Sequence, residues 1–581
     1  MVAHVESDRA FSRLHHAEEA AHSGGSLLAH LSSTAELLAR WDAPPHVCRA
    51  GLYHRVYGTG AFADALTSQA ERARVAAQIG QAAETLVYLF SSVTRDSLHA
   101  NAGRDRDFWA TCRHTGARLP LAAETLGELL LLSAASWAEQ LPRLSAELGC
   151  ARAAEVRRML PHLPAGPRAA LRRALAQALD ADPQADPVPL AELLSFDSPQ
   201  LIDQSCAALD ARYLGLISAH LRARTEPGQL ARLDALGDDA YLAILRSPAT
   251  CARLLGPAAA APRAAAELAH FLEGALQIEE WRAGSRARIE RDAWSADAEL
   301  FLPAGTQEGP QQLLYELAHA PRAFAPGRPY LAPRIGGWVV ADLHGPEVHR
   351  PLPQSTSKHV PYGPAEPMTE DEQGTVLDKL ERAFAGIGWV SPAATRFLRY
   401  TLATIIPRKQ TQPHLYPRSF KGSSTAATIH RANLYNLHLR NVDAARLAQS
   451  ILHETVHNHL YKRELFTPTL LDDQAGESLR VKSPWSGNPL DLHVFAHSST
   501  VYYAVHSFFS RAGSCPDLPR DTVTWFRDRA VQGFASPAWQ AIIDTHHDLF
   551  APAMRRDLFA MRARVLADTA ARALRSRQVA S

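Results

Sequence analysis

His453, Glu454 and His457 stand in the order His-Glu-x-x-His within AARLAQSILHETVHNHLYKREL, residues 444–465. On a helix, residues four apart share a face one turn apart, so the two imidazoles can meet one metal ion at about 2 Å each. Glu454 is offset by one position and can approach a metal-bound water without being a ligand. Two protein ligands are one short of a usual catalytic set, and the third decides the chemistry.

The extended metzincin pattern HExxHxxGxxH needs Gly and His where this sequence has Leu460 and Arg463, which excludes it. A gluzincin-type peptidase takes a Glu from a following helix, and Glu477 stands at a suitable distance. Gly476 just before it and Pro484 soon after argue against a long helix there. Further on, in SPWSGNPLDLHVFAHSSTVYYAVHSFFS, Asp491 can cap a helix that places His493 and His497 on one face. His497, farther into that helix, is the preferred third ligand; His493 and Glu477 are the alternatives.

The elements that must hold these groups are legible around them. RFLRYTLATIIPRK and SSTAATIHRANLYN read as strands, and Asp443 is a good N-cap for the helix that follows. Leu447, Ile451, Val456 and Leu460 give that helix an apolar side.

At 581 residues the chain is too long for one hydrophobic core and reads as multidomain. Residues 1–150 are helical by apolar spacing, as in SLLAHLSSTAELLARW, and LGELLLLSAASWAEQL reads as a buried helix. Residues 151–189 are Ala/Arg/Pro-rich and read as a linker containing one helix. Residues 190–581 form a mainly helical α+β metalloenzyme domain: 190–300 helical, 301–442 strand-containing, 443–512 carrying the metal-site helices and 513–581 a helical tail. The start of the chain has no apolar signal core, and no later run reaches the eighteen or so apolar residues of a membrane span. Lys+Arg 61 against Asp+Glu 60 leaves +1, so bulk charge recruits neither nucleic acid nor anionic lipid. The six cysteines are far apart with no CxxC, which indicates neither a disulfide framework nor a thiolate zinc site and fits a reducing cytoplasm.

The run ATIHRANLYNLHLRNVDAARLAQSILHETVHNHLY, with SPWSGNPLDL and VYYAVHSFF after it, resembles the HExxH-domain proteins associated with ribosomally made, modified peptides. That family is understood as Fe(II)- and 2-oxoglutarate-dependent peptide β-hydroxylases. The resemblance implies that His453 and His457 are metal ligands, that 2-oxoglutarate is the co-substrate and that a precursor peptide is the partner and substrate. Two His and a third ligand leave three iron positions open, two for 2-oxoglutarate and one for oxygen. A basic residue must then pair with the distal carboxylate of 2-oxoglutarate; Arg408, Lys409 and Arg431, on the preceding strands, are the candidates. The sequence departs from the family in its His493/His497 pair. One alternative is a zinc metallopeptidase in which Glu454 is the general base; another is a non-catalytic peptide-binding scaffold.

A second likeness covers residues 15–145, where SGGSLLAHLSSTAELLARWDAPPHVCRAGLYHRVYGTGAF looks like a helical HD-type domain. Such domains bind metal through a His, a His-Asp pair and a later Asp. His30 and His54 represent the two histidines, but Arg55 stands where the paired Asp belongs, and the later helix offers Ser133 and Ser136. The likeness therefore implies a degenerate site with a structural or peptide-binding role.

Overall fold

The computed structural model describes residues 21–22, 25–58, 65–99, 101, 106–141, 143, 150–181, 188–209, 212, 333–341, 343, 366–402, 404–410, 420–424 and 430–580. Most of the segment expected to be helical over 190–300 lies outside them. The chain divides into two compact units. One comprises Met1–Pro187, Thr467–Leu479 and His546–Arg555; the other comprises Val188–Phe466, Arg480–Thr545 and Arg556–Ser581.

The first unit is helical. Ser26 caps the helix Leu27–Arg40 by accepting from the Ala29 amide at 3.2 Å, and proline opens the next helix, Pro45–Tyr53. These two helices cross closely: a Cβ on Gly51 would lie 2.6 Å from Leu38 Cδ1 and 3.2 Å from Ala35 Cα, so a larger residue would force the Leu38 side chain to shift. The helix Ala123–Gln140 buries Leu129, Leu130 and Leu132, as its apolar run predicts. Residues 151–189 are not a linker. The helices Cys150–Met159 and Ala165–Ala181 put Val156, Leu171 and Leu175 fully into the same core, because Leu171, Leu175 and Leu179 fall on one helical stripe. The two later segments of this unit pair with each other through the Leu471 amide and the Leu549 carbonyl at 2.8 Å. Asp472, fully buried, accepts from Nε and Nη2 of Arg168 at 2.5 and 2.6 Å.

The second unit is built on a five-stranded mixed sheet. Its order is Arg334–Ile335, Val339–Ala341, Thr404–Arg408, Arg431–Tyr435 and Lys421–Ser423. The middle three strands run parallel and the outer two antiparallel to their neighbours. The segment RFLRYT, expected to be a strand, is the end of the helix Pro392–Thr401; the strand Thr404–Arg408 follows it. Ser391 caps that helix and Pro392 opens it, which outweighs the β-leaning composition. On the sheet, partners in register share a face. Arg408, Arg431, Asn433 and Tyr435 therefore lie on one face, and Ile405, Ala432, Leu434 and Gly422 on the other. The second of these faces meets the HExxH helix: a Cβ on Gly422 would lie 2.5 Å from Oε1 of Glu454, so glycine permits the approach. Among the described residues no helix is long and apolar enough to cross a membrane.

Candidate metal centre

The HExxH helix runs Ala444–Glu464. Asp443 caps it, Oδ1 accepting from the Arg446 amide at 2.8 Å, while Oδ2 accepts from the Thr522 hydroxyl at 2.9 Å. Leu447, Ile451, Val456 and Leu460 are fully buried, each such side chain contributing about 1.5–3 kcal/mol of transfer free energy. Arg463, at the position where a metzincin carries its third histidine, forms a buried pair with Asp557 at 3.1 Å and has a structural role.

The facing helix is Leu492–Phe509, capped as expected by Asp491, which accepts from the Val494 amide at 2.7 Å. The SPWSGNPLDL element leading into it supplies the turn and the second strand of a hairpin of Val481–Lys482 and Pro489–Leu490. Trp485 anchors this hairpin, stacking on Tyr502 at 4.5 Å and donating to the Ala530 carbonyl at 3.2 Å. These elements set where the facing helix starts, and hence where its histidines point.

The side chains of the two helices meet in one continuous string. His453 and His457 face each other through Nε2 at 3.1 Å. His457 and His497 face each other through Nδ1, also at 3.1 Å. Nε2 of His497 lies 2.9 Å from Oε1 of Glu464, and the same oxygen lies 2.7 Å from Nε2 of His493. At the other end, the Gln449 amide lies 3.3 Å from Nδ1 of His453. Tyr461 packs against His457 and His497, with ring centroids at 6.1 and 5.2 Å. Burial, then the neighbouring histidines, holds His457 well below its ordinary range. Burial opposes ionisation of Glu464, but His493 and His497 overcome it and hold that carboxyl well below the usual range.

Glu464, His493 and His497 form a group that could hold a metal ion, their ligand atoms lying within 4.8 Å of one another. Ligands about 2.1 Å from a common ion and at right angles to one another stand about 3 Å apart, so the contacts to the shared oxygen suit one ion. His497 is in this group, as the sequence suggests, and so is His493. Glu464 is the residue the sequence reading missed. Its signal was present: 453, 457, 461 and 464 follow the helical period along one face. Glu454 is separate from the group, its carboxyl accepting from Ser424 at 2.7 Å and lying 4.0 Å from Nε2 of His453. Burial pushes it up to about 7, with the Ser424 bond opposing.

Other candidates fall elsewhere. Glu477 is exposed on the short helix Asp473–Ser478, which belongs to the first unit, while the histidines belong to the second. Arg408 and Arg431 lie on the sheet face turned away from the HExxH helix, Arg408 being fully buried with Nε 3.3 Å from Oδ1 of Asn433. Lys409 is paired with Glu372 at 2.8 and 2.9 Å. Strand alternation and a local ion pair set these positions.

In the first unit, His30 and His54 do come together, Nε2 to Nε2 at 3.2 Å, both fully buried. Nδ1 of His30 lies 2.5 Å from Glu139, a carboxylate at the end of the helix where the sequence offers only serines at the expected turns. Nδ1 of His54 donates to the Gly51 carbonyl at 2.6 Å. Arg55 is also buried, so no carboxylate accompanies His54 from the next position.

Residues 12–95 match the model of a domain of unknown function (DUF6817), a span that includes His30 and His54. No curated protein matches the chain.

Proposed function

We propose that the chain is a metal-dependent peptide-modifying enzyme whose best-supported reaction is Fe(II)- and 2-oxoglutarate-dependent β-hydroxylation of a residue in a ribosomally made precursor peptide. The observation that carries this reading is the Glu464/His493/His497 group, two imidazoles and one carboxylate on facing helices. Two histidines and a carboxylate with positions left open serve non-haem iron oxygenases and catalytic zinc sites alike, so the ligand set supports a catalytic metal and the choice of iron comes from the sequence resemblance. The resemblance of the surrounding sequence to HExxH peptide hydroxylases supports the same class.

Bound iron would supply the activation of oxygen against an unactivated C–H bond, with 2-oxoglutarate as the two-electron co-reductant. The chain's own residues do the rest. Glu464 and His493 are partly open to solvent, with side-chain exposures of 20 and 29%, and give a peptide access, while His497 at 2% seals the inner side. Tyr461 walls the interior and keeps water from the rings it packs against.

A second reading, zinc-dependent peptide hydrolysis, is favoured by one observation: Glu454, with its carboxyl pushed up to about 7, matches a general base poised near neutral pH. Its burial against Gly422 and Ser424 turns it toward the sheet, which is why we place this reading second. The discriminating experiment incubates the chain with short peptides encoded beside its gene, with Fe(II), 2-oxoglutarate and air, and follows succinate. Succinate formed in step with peptide consumption is expected; peptide cleavage supported by zinc alone would establish the hydrolase.

A further inference from the structure

Three arginines of the first unit, Arg55, Arg95 and Arg113, gather near the buried His54. Val93 pairs with Cys112 at the end of the helix Gln81–Ser92, and the Arg113 amide donates to the Ser92 carbonyl at 2.8 Å, so Arg113 stands at that helix end. Arg95 folds back toward the same place. Its Cζ lies 3.6 Å from the centre of the Phe90 ring, and its Nη1 donates to the Phe90 carbonyl at 3.5 Å. The Phe90 ring packs in turn on His54, with ring centroids 5.3 Å apart, and Arg55, 7% exposed, is the residue after His54.

This cluster is short of negative charge. Burial pulls the Arg95 guanidinium down to about 10, opposed by Glu155 and reinforced by Arg55 and Arg113. Glu155 is the one carboxylate among the described groups that act on Arg95, so three guanidinium groups stand against a single anion. Nε of Arg113 is shut off from water and makes no hydrogen bond among the described residues, and the buried hydroxyl of Ser92, its backbone partner, is in the same state. A buried donor without an acceptor costs free energy, and guanidinium forks match the paired oxygens of a phosphate or a carboxylate. Arg95 and Arg113 are half-buried, which leaves a small solute a way in.

We propose that the first unit binds one small dianion, a phosphate group or a dicarboxylate, between the guanidinium groups of Arg95 and Arg113, with Arg55 adding a third positive charge beside them. Three arginines against Glu155 leave two positive charges, which is why the ligand carries two negative ones. Both kinds of dianion present the oxygens that this cluster recognises, and separate arms of the test tell them apart.

The test is equilibrium dialysis of the full chain against radiolabelled inorganic phosphate and, in a separate arm, radiolabelled succinate, with chloride holding the ionic strength constant. Wild type should retain one of the two anions at one per chain. Arg95→Gln and Arg113→Gln should each weaken that binding by about 10–100-fold, the loss expected for a hydrogen bond to a charged group. Arg113→Gln carries the test if Arg95→Gln fails to fold. Arg118→Gln, an exposed arginine stacked on Trp109 in the same unit, should stay within about fivefold of wild type. Without anion, Arg113→Gln should unfold at no lower temperature than wild type, because it removes an unmatched donor and a repelling charge. Retention of neither anion at millimolar concentration would overturn the proposal, as would binding that Arg113→Gln leaves intact or that Arg118→Gln weakens equally. A lower unfolding temperature in anion-free Arg113→Gln would also overturn it, by showing an arginine that serves the fold.

Discussion

Nδ1 of His457 and Nδ1 of His497 lie 3.1 Å apart, which joins the HExxH helix to the facing helix through one hydrogen bond between ring nitrogens. In the metal-free chain this contact should be measurable as coupling. His457→Ala and His497→Ala are each expected to destabilise, and the double variant should deviate from their sum by about 0.5–3 kcal/mol in denaturant unfolding. Additive effects would show that the two rings do not act as a pair.

Glu454 gives a pH prediction. Its folded carboxyl is pushed up to about 7 by burial, whereas an unfolded glutamate titrates near about 4.3. Between those values the folded chain holds a proton that the unfolded chain has lost. Stability from this group is therefore fully present below the unfolded value and falls as pH rises through about 7. Glu454→Gln keeps an acceptor for Ser424 and has nothing to ionise. Relative to wild type, the metal-free variant should gain roughly 2–4 kcal/mol between about pH 4 and about pH 8, read from urea unfolding at several pH values. Parallel curves would mean that Glu454 ionises as an ordinary exposed glutamate does.

Asp472 and Arg168 should behave in the opposite sense. Burial opposes ionisation of Asp472, but the bidentate contact with Arg168 overcomes it and keeps this carboxyl below its ordinary range. Its contribution is present above the unfolded value of about 3.9 and is lost as pH falls further. Arg168 retains some exposure, which screens the pair, so Asp472→Asn should cost roughly 2–4 kcal/mol at neutral pH and shrink the acid-induced loss. An unchanged midpoint in urea at neutral pH would contradict the pairing.

His30 and His54 should matter to folding and not to the reaction. Both are fully buried, and removing one leaves the other's Nε2 without its 3.2 Å partner. His30→Ala is expected to cost roughly 1–3 kcal/mol in stability. Turnover per folded chain on saturating peptide should stay within about threefold of wild type, too small a change for a lost transition-state contact. A collapse of kcat with unchanged thermal stability would reveal a second catalytic site in the first unit.

The motif helix and its partner were legible because each begins with an aspartate cap and carries histidines at four-residue spacing, Asp443 before His453 and His457, Asp491 before His493 and His497. Glu464 was not legible from the motif, whose pattern ends at His457, although the residue lies two turns on along the same face. The strand reading of RFLRYT failed where β-leaning residues followed a Ser391-Pro392 helix start. The linker reading of 151–189 failed because Ala and Arg dominate its composition, while the few leucines that fix its packing, Leu171 and Leu175 among them, are spaced for a buried stripe. The position of Arg408 and Arg431 on the far face of the sheet was beyond composition: it depends on the register between Thr404–Arg408 and Arg431–Tyr435, which only the pairing reveals.

Mass spectrometry of the peptide product tests the central claim most directly. With Fe(II), 2-oxoglutarate and air, a cognate precursor peptide should remain whole and gain one oxygen atom, about 16 Da, with succinate formed in equal amount. Two shorter peptides whose masses sum to that of the substrate plus water, formed without 2-oxoglutarate, would contradict it.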